Sequence, residues 1–530
     1  MKPVEKEIIQ HLRHTSGHRQ GNYSVFPRLH SPYKNPFWQG NNSRYVVFLI
    51  MKFRIPALLY LVFSACTNNN VEPPAPVLPV PSTAQLQWHE MEQNAFIHFT
   101  TNTFTDLEWG YGDEDPAIFN PSSFDADQWI TTLKDAGFKG AILTCKHHDG
   151  FCLWPSEFTE HDVAASPWEN GKGDVVKAVS DACRRHGLKF GVYLSPWDRN
   201  HPAYGRPAYI EYYRNQLKEI FSRYGPAFEM WFDGANGGTG YYGGAKEERN
   251  IHGATYYDWP VTLALVRGME PGILFFSDAG PGVRWVGNER GEAGETNWNT
   301  LTPDTLYAGK PGIQPLLNSG DPGGTHWIPA EVDVSIRPGW FYHPKEDSLV
   351  KSPEKLFEIY LTSVGRGSTL LLNVPPDKRG LIHENDVSVL KTWRRLIDEA
   401  FKNNFARAAK VEASAYRGES PRFHPSRTTD GDKDTYWTTD DSTTTGSLTV
   451  DLGKHREIKY LVIQEYIKLG QRVRSFTVEC WENKSWKPLA SATTIGFKRI
   501  LRFEPVQTDK VRINITSSKA CPLISNVEIY

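Results

Sequence analysis

At 530 residues, with 39% hydrophobic and 23% charged residues, the chain is too long for one compact core and has the composition of an ordinary soluble protein. A formal net charge of -2 excludes an electrostatic case for nucleic acid or an anionic surface as partner. The aromatic content, 13% with 17 Trp and 23 Tyr, favours carbohydrate, since aromatic faces pack on the apolar C–H faces of sugar rings, although large cores use Trp as well.

Residues 1–50 carry basic and aromatic residues without periodicity and read as an upstream over-extension of the true start at Met51. Residues 51–66 follow the pattern of a secretory signal: a basic start, a short apolar run, and small residues before Cys66. Phe63-Ser64-Ala65-Cys66 resembles a bacterial lipobox, so the expected mature protein is exported, lipidated at Cys66, and held at the periplasmic or outer face of a bacterial cell by that anchor alone. Residues 67–84 form a proline-rich linker, expected to be extended and unpacked. The cysteines at 66, 145, 152, 183, 480 and 521 have no C-x-x-C spacing, which signals neither zinc nor a disulfide framework, and leaves Cys480 with Cys521 as a pair open to oxidation.

From residue 85 the pattern alternates strand and helix. Strands are predicted over 95–100, 139–147, 189–195, 228–233, 273–277, 332–336 and 368–374. Helices are predicted over 124–136, 175–186, 209–224, 259–269, 353–363 and 386–401. Such alternation implies a parallel sheet with helices outside, and residues 85–405 suit a (β/α)8-like barrel. A doubly wound sheet is the alternative, lowered because no Gly-x-Gly-x-x-Gly follows an early strand. Over 406–530 short strands separated by turn residues (447–452, 459–465, 475–481, 498–503, 510–515) predict a C-terminal antiparallel β-sandwich.

Polar groups gather at the predicted strand ends: His98, then His147-His148-Asp149-Gly150, Tyr193, and Asp233 closing Phe228-Glu-Met-Trp-Phe-Asp. In a barrel these ends converge on one pocket. A metal held by His98, His147 and His148 is disfavoured, because neighbours on a strand point to opposite sides. Glycoside hydrolysis needs a second carboxylate besides Asp233, and the loop from Trp285 to Trp298 offers Glu289, Glu292 and Glu295.

Taken in order, Ile97-His98-Phe99, Glu108-Trp109-Gly110, Lys146-His147-His148-Asp149-Gly150-Phe151, Trp231-Phe232-Asp233-Gly234-Ala235, Ile336-Arg337-Pro338-Gly339-Trp340-Phe341 and the run from Gly365 to Pro376 resemble the alpha-L-fucosidases of glycoside hydrolase family 29. The resemblance implies a retaining exo-hydrolase with Asp233 as nucleophile and no cofactor for catalysis. It implies that His98, Glu108, Trp109, His147, His148, Tyr193 and Trp231 contact fucose, and Trp340 is assigned to its 6-methyl edge. The 285–298 loop resembles the subfamily preferring alpha-1,3 and alpha-1,4 linkages, which points to Glu289 as acid/base with Glu292 as rival. Lewis-type fucosylated glycans are the expected partners. A fucose-binding lectin with a disabled site, or a glycosidase for a related sugar such as galactose, are the alternatives. The C-terminal stretch through Asp430, Asp432 and Asp434 to Trp437 resembles discoidin-like, F5/8 type C domains, in which such a loop often holds a structural calcium.

Overall fold

Alternation along each barrel strand decides which side chains face inward. In β1 (Gln93–Ile97), Phe96 packs into the barrel interior while Ala95 and Ile97 pack outward; Ile142 in β2 (Gly140–Lys146) behaves as Phe96 does. The computed structural model describes residues 71–530. The barrel continues through β3 (Lys189–Leu194), β4 (Glu229–Trp231), β5 (Leu274–Ser277), β6 (Val283–Trp285), β7 (Ala330–Ser335) and β8 (Thr369–Asn373). These eight strands are parallel and close in sequence order, β8 returning to β1 with Gln93 opposite Leu370. The signal and lipobox assigned to 51–66 lie outside the described residues.

The outer layer holds α2 (Ala126–Asp135), α3 (Val175–His186), α4 (Ala208–Arg223), α5 (Trp259–Met269), α6 (Pro353–Thr362) and α7 (Glu384–Ala400), preceded by α1 (Thr83–His89). Ser82 caps α1 in a capping box with Gln85, which fixes where the chain enters the barrel. All six predicted helices are present. The strand β6 was not anticipated: it is three residues long and follows Ser277 after only five residues, so no helix separates it from β5. From β6 to β7 the chain instead makes a long excursion with one short helix, Gln314–Ser319.

The barrel interior also holds carboxyl groups. Glu229 of β4 accepts the Trp88 indole N–H at 3.0 Å and Glu331 of β7 accepts that of Trp231 at 3.0 Å. Their remaining oxygens, Glu229 Oε1 and Glu331 Oε2, are buried without any other partner. Burial pushes Glu229 up to about 8, and burial followed by the Glu229 charge holds Glu331 well above the carboxylate range.

The C-terminal domain is a seven-stranded antiparallel sheet. Its strands are β9 (Lys410–Ala413), β10 (Trp437–Thr438), β11 (Gly446–Glu465), β12 (Val473–Glu482), β13 (Ser485–Ala492), β14 (Arg499–Ser518) and β15 (Leu523–Ile529). Strands expected as separate, 447–452 with 459–465 and 498–503 with 510–515, are halves of the 20-residue strands β11 and β14, which pair through register shifts near Asp451 and Ile458. The two halves of each bend around one apolar core that includes Trp437, Leu448, Phe476, Ile513 and Ile524.

The described part of the proline-rich segment is extended but not unpacked. Val77 N–H bonds the Leu469 carbonyl at 2.9 Å, Arg472 donates to Ala75 O at 2.7 Å, and Arg417 donates to Glu72 O at 2.7 Å. Proline removes donors but leaves carbonyls, and two arginines of the C-terminal domain take them. All five described cysteines are free thiols, Cys480 and Cys521 included.

Candidate active site

The carboxyl ends of the barrel strands open into a cavity of about 630 Å³ lined by His98, Glu108, Trp109, His147, His148, Tyr193, Trp231, Asp233, Glu289 and Trp340. Every residue predicted to contact or cleave the sugar is there except the rival acid Glu292; Glu295 of the same loop and the Asp430–Asp434 stretch also lie outside it. Glu292 is half-exposed and faces Arg290 at 3.7 Å. The cavity wall adds Trp285, at the start of the loop that carries Glu289, and Phe276, Asp278 and Asp333, which the sequence reading did not assign to the site.

Asp233 lies two residues beyond the end of β4 at Trp231. Its Oδ2 accepts the Tyr193 hydroxyl at 2.9 Å and its Oδ1 accepts the Ala235 N–H at 2.7 Å. Burial raises the Asp233 carboxyl above its usual range, and these two donors oppose that rise. Gly234 is required beside it, since a Cβ there would lie 2.5 Å from both Asp278 oxygens. Asp278 itself accepts the Gly309 N–H at 2.7 Å and is pushed up to about 6, mainly by burial and then by the Asp233 charge.

His147 and His148 both face the pocket, their rings 4.1 Å apart. The expectation of opposite faces fails because β2 ends at Lys146, so both histidines sit in the turn beyond it. Gly150 closes that turn at φ +80°, where a Cβ would strike Asp198 Oδ1 at 2.5 Å. Asp149 binds the turn to the loop after β1 by accepting the Thr100 and Thr101 hydroxyls at 2.8 and 2.6 Å.

Hydrogen bonding fixes two imidazole tautomers. Ser195 Oγ donates to the Trp197 carbonyl at 2.6 Å, so it accepts from His148 Nδ1 at 2.7 Å. Asn373 Nδ2 donates to Ser335 Oγ and to the Trp340 carbonyl, so Asn373 Oδ1 accepts from His98 Nδ1 at 2.8 Å. Burial depresses both imidazoles to about 3, so both are neutral near pH 7 with Nε2 as an acceptor. His148 Nε2 lies 3.7 Å from Asp233 Oδ2.

Glu108 holds the loop after β7. Its two oxygens accept the Trp340 and Phe341 N–H groups at 2.9 and 3.2 Å, and His343 Nε2 bonds Oε1 at 2.6 Å. Trp340 is thereby set beside His98 and Phe96, at ring separations of 5.3 and 6.3 Å. Trp231 stacks on Phe276 at 4.0 Å and forms the floor, whereas Trp109 stands 50% exposed at the mouth. Burial raises the Glu289 carboxyl above its usual range; a Trp340 hydrogen bond opposes this, and the Asp233 and Glu108 charges add to it. Deeper in, Asp333 accepts the Trp285 indole N–H at 2.8 Å and is held well above the carboxylate range by burial and then by the Glu289 charge.

The family model for alpha-L-fucosidase matches residues 77–395. The chain belongs to the alpha-L-fucosidase family. An F5/8 type C domain model matches residues 410–528. Among relatives, alpha-L-fucosidase 1 of Arabidopsis thaliana is 41% identical over 463 residues, covering 86% of this chain and 88% of its own. The crystal structure of a glycoside hydrolase 29 family member from an unknown rumen bacterium superposes with TM-score 0.77 at 45% identity, covering 86% of this chain and 78% of that one. A Ruminococcus gnavus fucosidase of that family in complex with fucose gives TM-score 0.79 at 35% identity, covering 87% and 96%.

Among the described residues no group of three or more His, Cys, Asp or Glu side chains is arranged to hold a metal ion. The carboxylates of the Asp430–Asp434 loop are engaged by neighbouring groups. Asp434 pairs with Lys468, Asp430 faces Arg427 at 3.5 Å and accepts the Thr435 hydroxyl at 2.9 Å, and Asp432 Oδ1 accepts the Asp434 N–H.

Proposed function

We propose that this alpha-L-fucosidase is a retaining exo-enzyme that removes terminal alpha-1,3- or alpha-1,4-linked fucose from Lewis-type glycans, with Asp233 as nucleophile and Glu289 as acid/base. The observation that carries the proposal is two carboxyls lining one pocket with different surroundings: Asp233 accepts two hydrogen bonds that oppose the rise burial gives it, while Glu289 is raised by burial and further by the Asp233 and Glu108 charges.

Asp233 attacks the anomeric carbon as the glycosidic bond breaks, and the Glu289 proton passes to the leaving oxygen. Water then attacks the fucosyl ester, Glu289 takes its proton, and Asp233 leaves as carboxylate. Retention by this route needs the carboxyl groups about 5 to 5.5 Å apart. The Nε2 atoms of His98 and His148 accept hydrogen bonds from sugar hydroxyls, and Trp340 covers the 6-methyl edge. Export and lipidation at Cys66 belong to the same proposal and rest on the 51–66 sequence pattern.

The test is a pair of substitutions assayed on aryl fucosides. Glu289→Ala is expected to lose roughly 10²- to 10⁴-fold on poor leaving groups and to regain turnover of activated ones with azide. Glu292→Ala, at an exposed ion pair outside the cavity, is expected to match the parent. The reverse outcome would transfer the acid role to Glu292, and first release of beta-fucose would overturn retention. A parent enzyme that binds fucose without cleaving any fucoside would favour the lectin alternative.

A further inference from the structure

Glu289 sits on a loop with no helix of its own beneath it, so something else must hold that loop still. From the barrel side it is tied by Thr362, which bonds the Gly291 carbonyl at 3.0 Å, and by Arg366, which donates to Ala293 O at 2.7 Å. The other side is tied by the C-terminal domain. Gln471 Oε1 accepts both the Asn299 N–H (2.8 Å) and the Asn299 side-chain amide (3.1 Å), and Gln471 Nε2 donates to Asn297 O at 2.9 Å. Thr494 Oγ1 accepts the Asn297 N–H at 2.9 Å, and Arg499 donates to Glu295 O at 2.7 Å.

These are not rim contacts that water could replace. Gln471 is 1% exposed, Thr494 2% and Arg499 6%. Trp298, between the two asparagines, has the Lys519 ammonium 4.3 Å from its ring centre. Within the C-terminal domain, Glu465 fixes both segments that reach over: it accepts the Arg472 and Val473 N–H groups with one oxygen and the Gly496 N–H with the other, each at 2.8 Å. One buried carboxyl therefore sets the spacing between the Gln471 turn and the Thr494 turn.

We infer that the C-terminal domain is the outer jaw of a clamp that sets the position of Glu289, with Gln471, Thr494 and Arg499 as positioning residues for protonation of the leaving group. The inference rests on Glu289 being the acid. Misplacing an acid by about 1 Å costs on the order of 10²-fold in the step that needs it and little in a step that does not. Loss of a jaw contact therefore falls on substrates whose leaving group must be protonated.

The experiment uses the full chain with Gln471→Ala and Thr494→Val, Glu289→Gln as reference, and aryl fucosides with leaving phenols from acidic to weakly acidic. Gln471→Ala is expected to lose roughly 10- to 100-fold in kcat/KM on phenyl fucoside and under about threefold on dinitrophenyl fucoside, with the basic limb of its pH profile displaced. Equal losses on both substrates, or none, at parental melting temperature overturn the clamp. A Glu289→Gln variant without leaving-group dependence overturns the acid assignment instead. If Gln471→Ala does not fold, Gln471→Glu, which keeps the acceptor for Asn299 and loses the donor to Asn297, and Thr494→Val are read by the same criterion.

Discussion

Replacing Tyr193 by Phe isolates one hydrogen bond to the proposed nucleophile. The ring stays packed against Trp231, His147 and Phe96, at separations of 5.4, 5.7 and 5.7 Å, so the fold is expected to be retained. What is lost is the 2.9 Å donor to Asp233 Oδ2, leaving Ala235 N–H as the carboxylate's remaining donor. A hydrogen bond to a charged group contributes about 1.5–3 kcal/mol, and one pH unit corresponds to about 1.4 kcal/mol. Removing a donor disfavours the carboxylate, so the acidic limb of the kcat/KM profile moves up by roughly one to two pH units, toward the lower figure because the Asp233 side chain is 23% exposed. The assay is kcat/KM on an activated aryl fucoside from pH 4 to 8, where the variant should fall further behind the parent as the pH drops. A uniform loss with the limb unmoved would refute the assignment of that limb to Asp233.

Three further outcomes are expected. Ser195→Ala removes the acceptor that fixes the His148 tautomer, and KM should rise by roughly tenfold with a smaller change in kcat, measured by steady-state kinetics. Glu229 has its folded pKa raised to about 8, so its contribution to stability is complete below the unfolded value and is lost as pH rises through about 8. Glu331→Gln removes the second buried carboxyl with a raised pKa and should flatten the decline of Tm between about pH 5 and 8; an unchanged decline would refute the raised pKa of Glu331. Because the Asp430–Asp434 carboxylates are spent on Lys468, Arg427 and neighbouring groups, EDTA should leave Tm unmoved in a thermal melt, and a fall restored by calcium would overturn that reading of the loop.

The strands and helices legible in the sequence were those with a sustained period. Strands such as 139–147 and helices such as 175–186 carry their pattern over six or more residues, long enough to stand out. The three-residue β6 does not, and Gly280-Pro281-Gly282 before it reads only as a turn. His98, Tyr193 and Asp233 were legible because polar groups ending apolar strands are rare. Asp278 was not, since Ser-Asp-Ala-Gly is ordinary turn composition. Glu331 and Asp333 left a signal that went unused: acids alternating with Val332 and Val334 place two carboxyls on the inner face of a buried strand. The linker misled because proline content speaks to backbone shape and not to who takes the carbonyls. The 20-residue strands β11 and β14 were split because bulges interrupt their alternation.

The two fixed imidazoles also define what can inhibit the enzyme. At neutral pH the pocket wall around Asp233 presents lone pairs at His98 and His148 and carries no imidazolium charge. A sugar mimic with a protonated nitrogen in its ring therefore meets acceptors and a carboxylate, with no histidine cation to repel it. Exchanging a hydroxyl for fluorine at a histidine-facing carbon sets one lone pair against another, so fluorinated mimics should bind worse than deoxygenated ones, the opposite of the order that size alone would give.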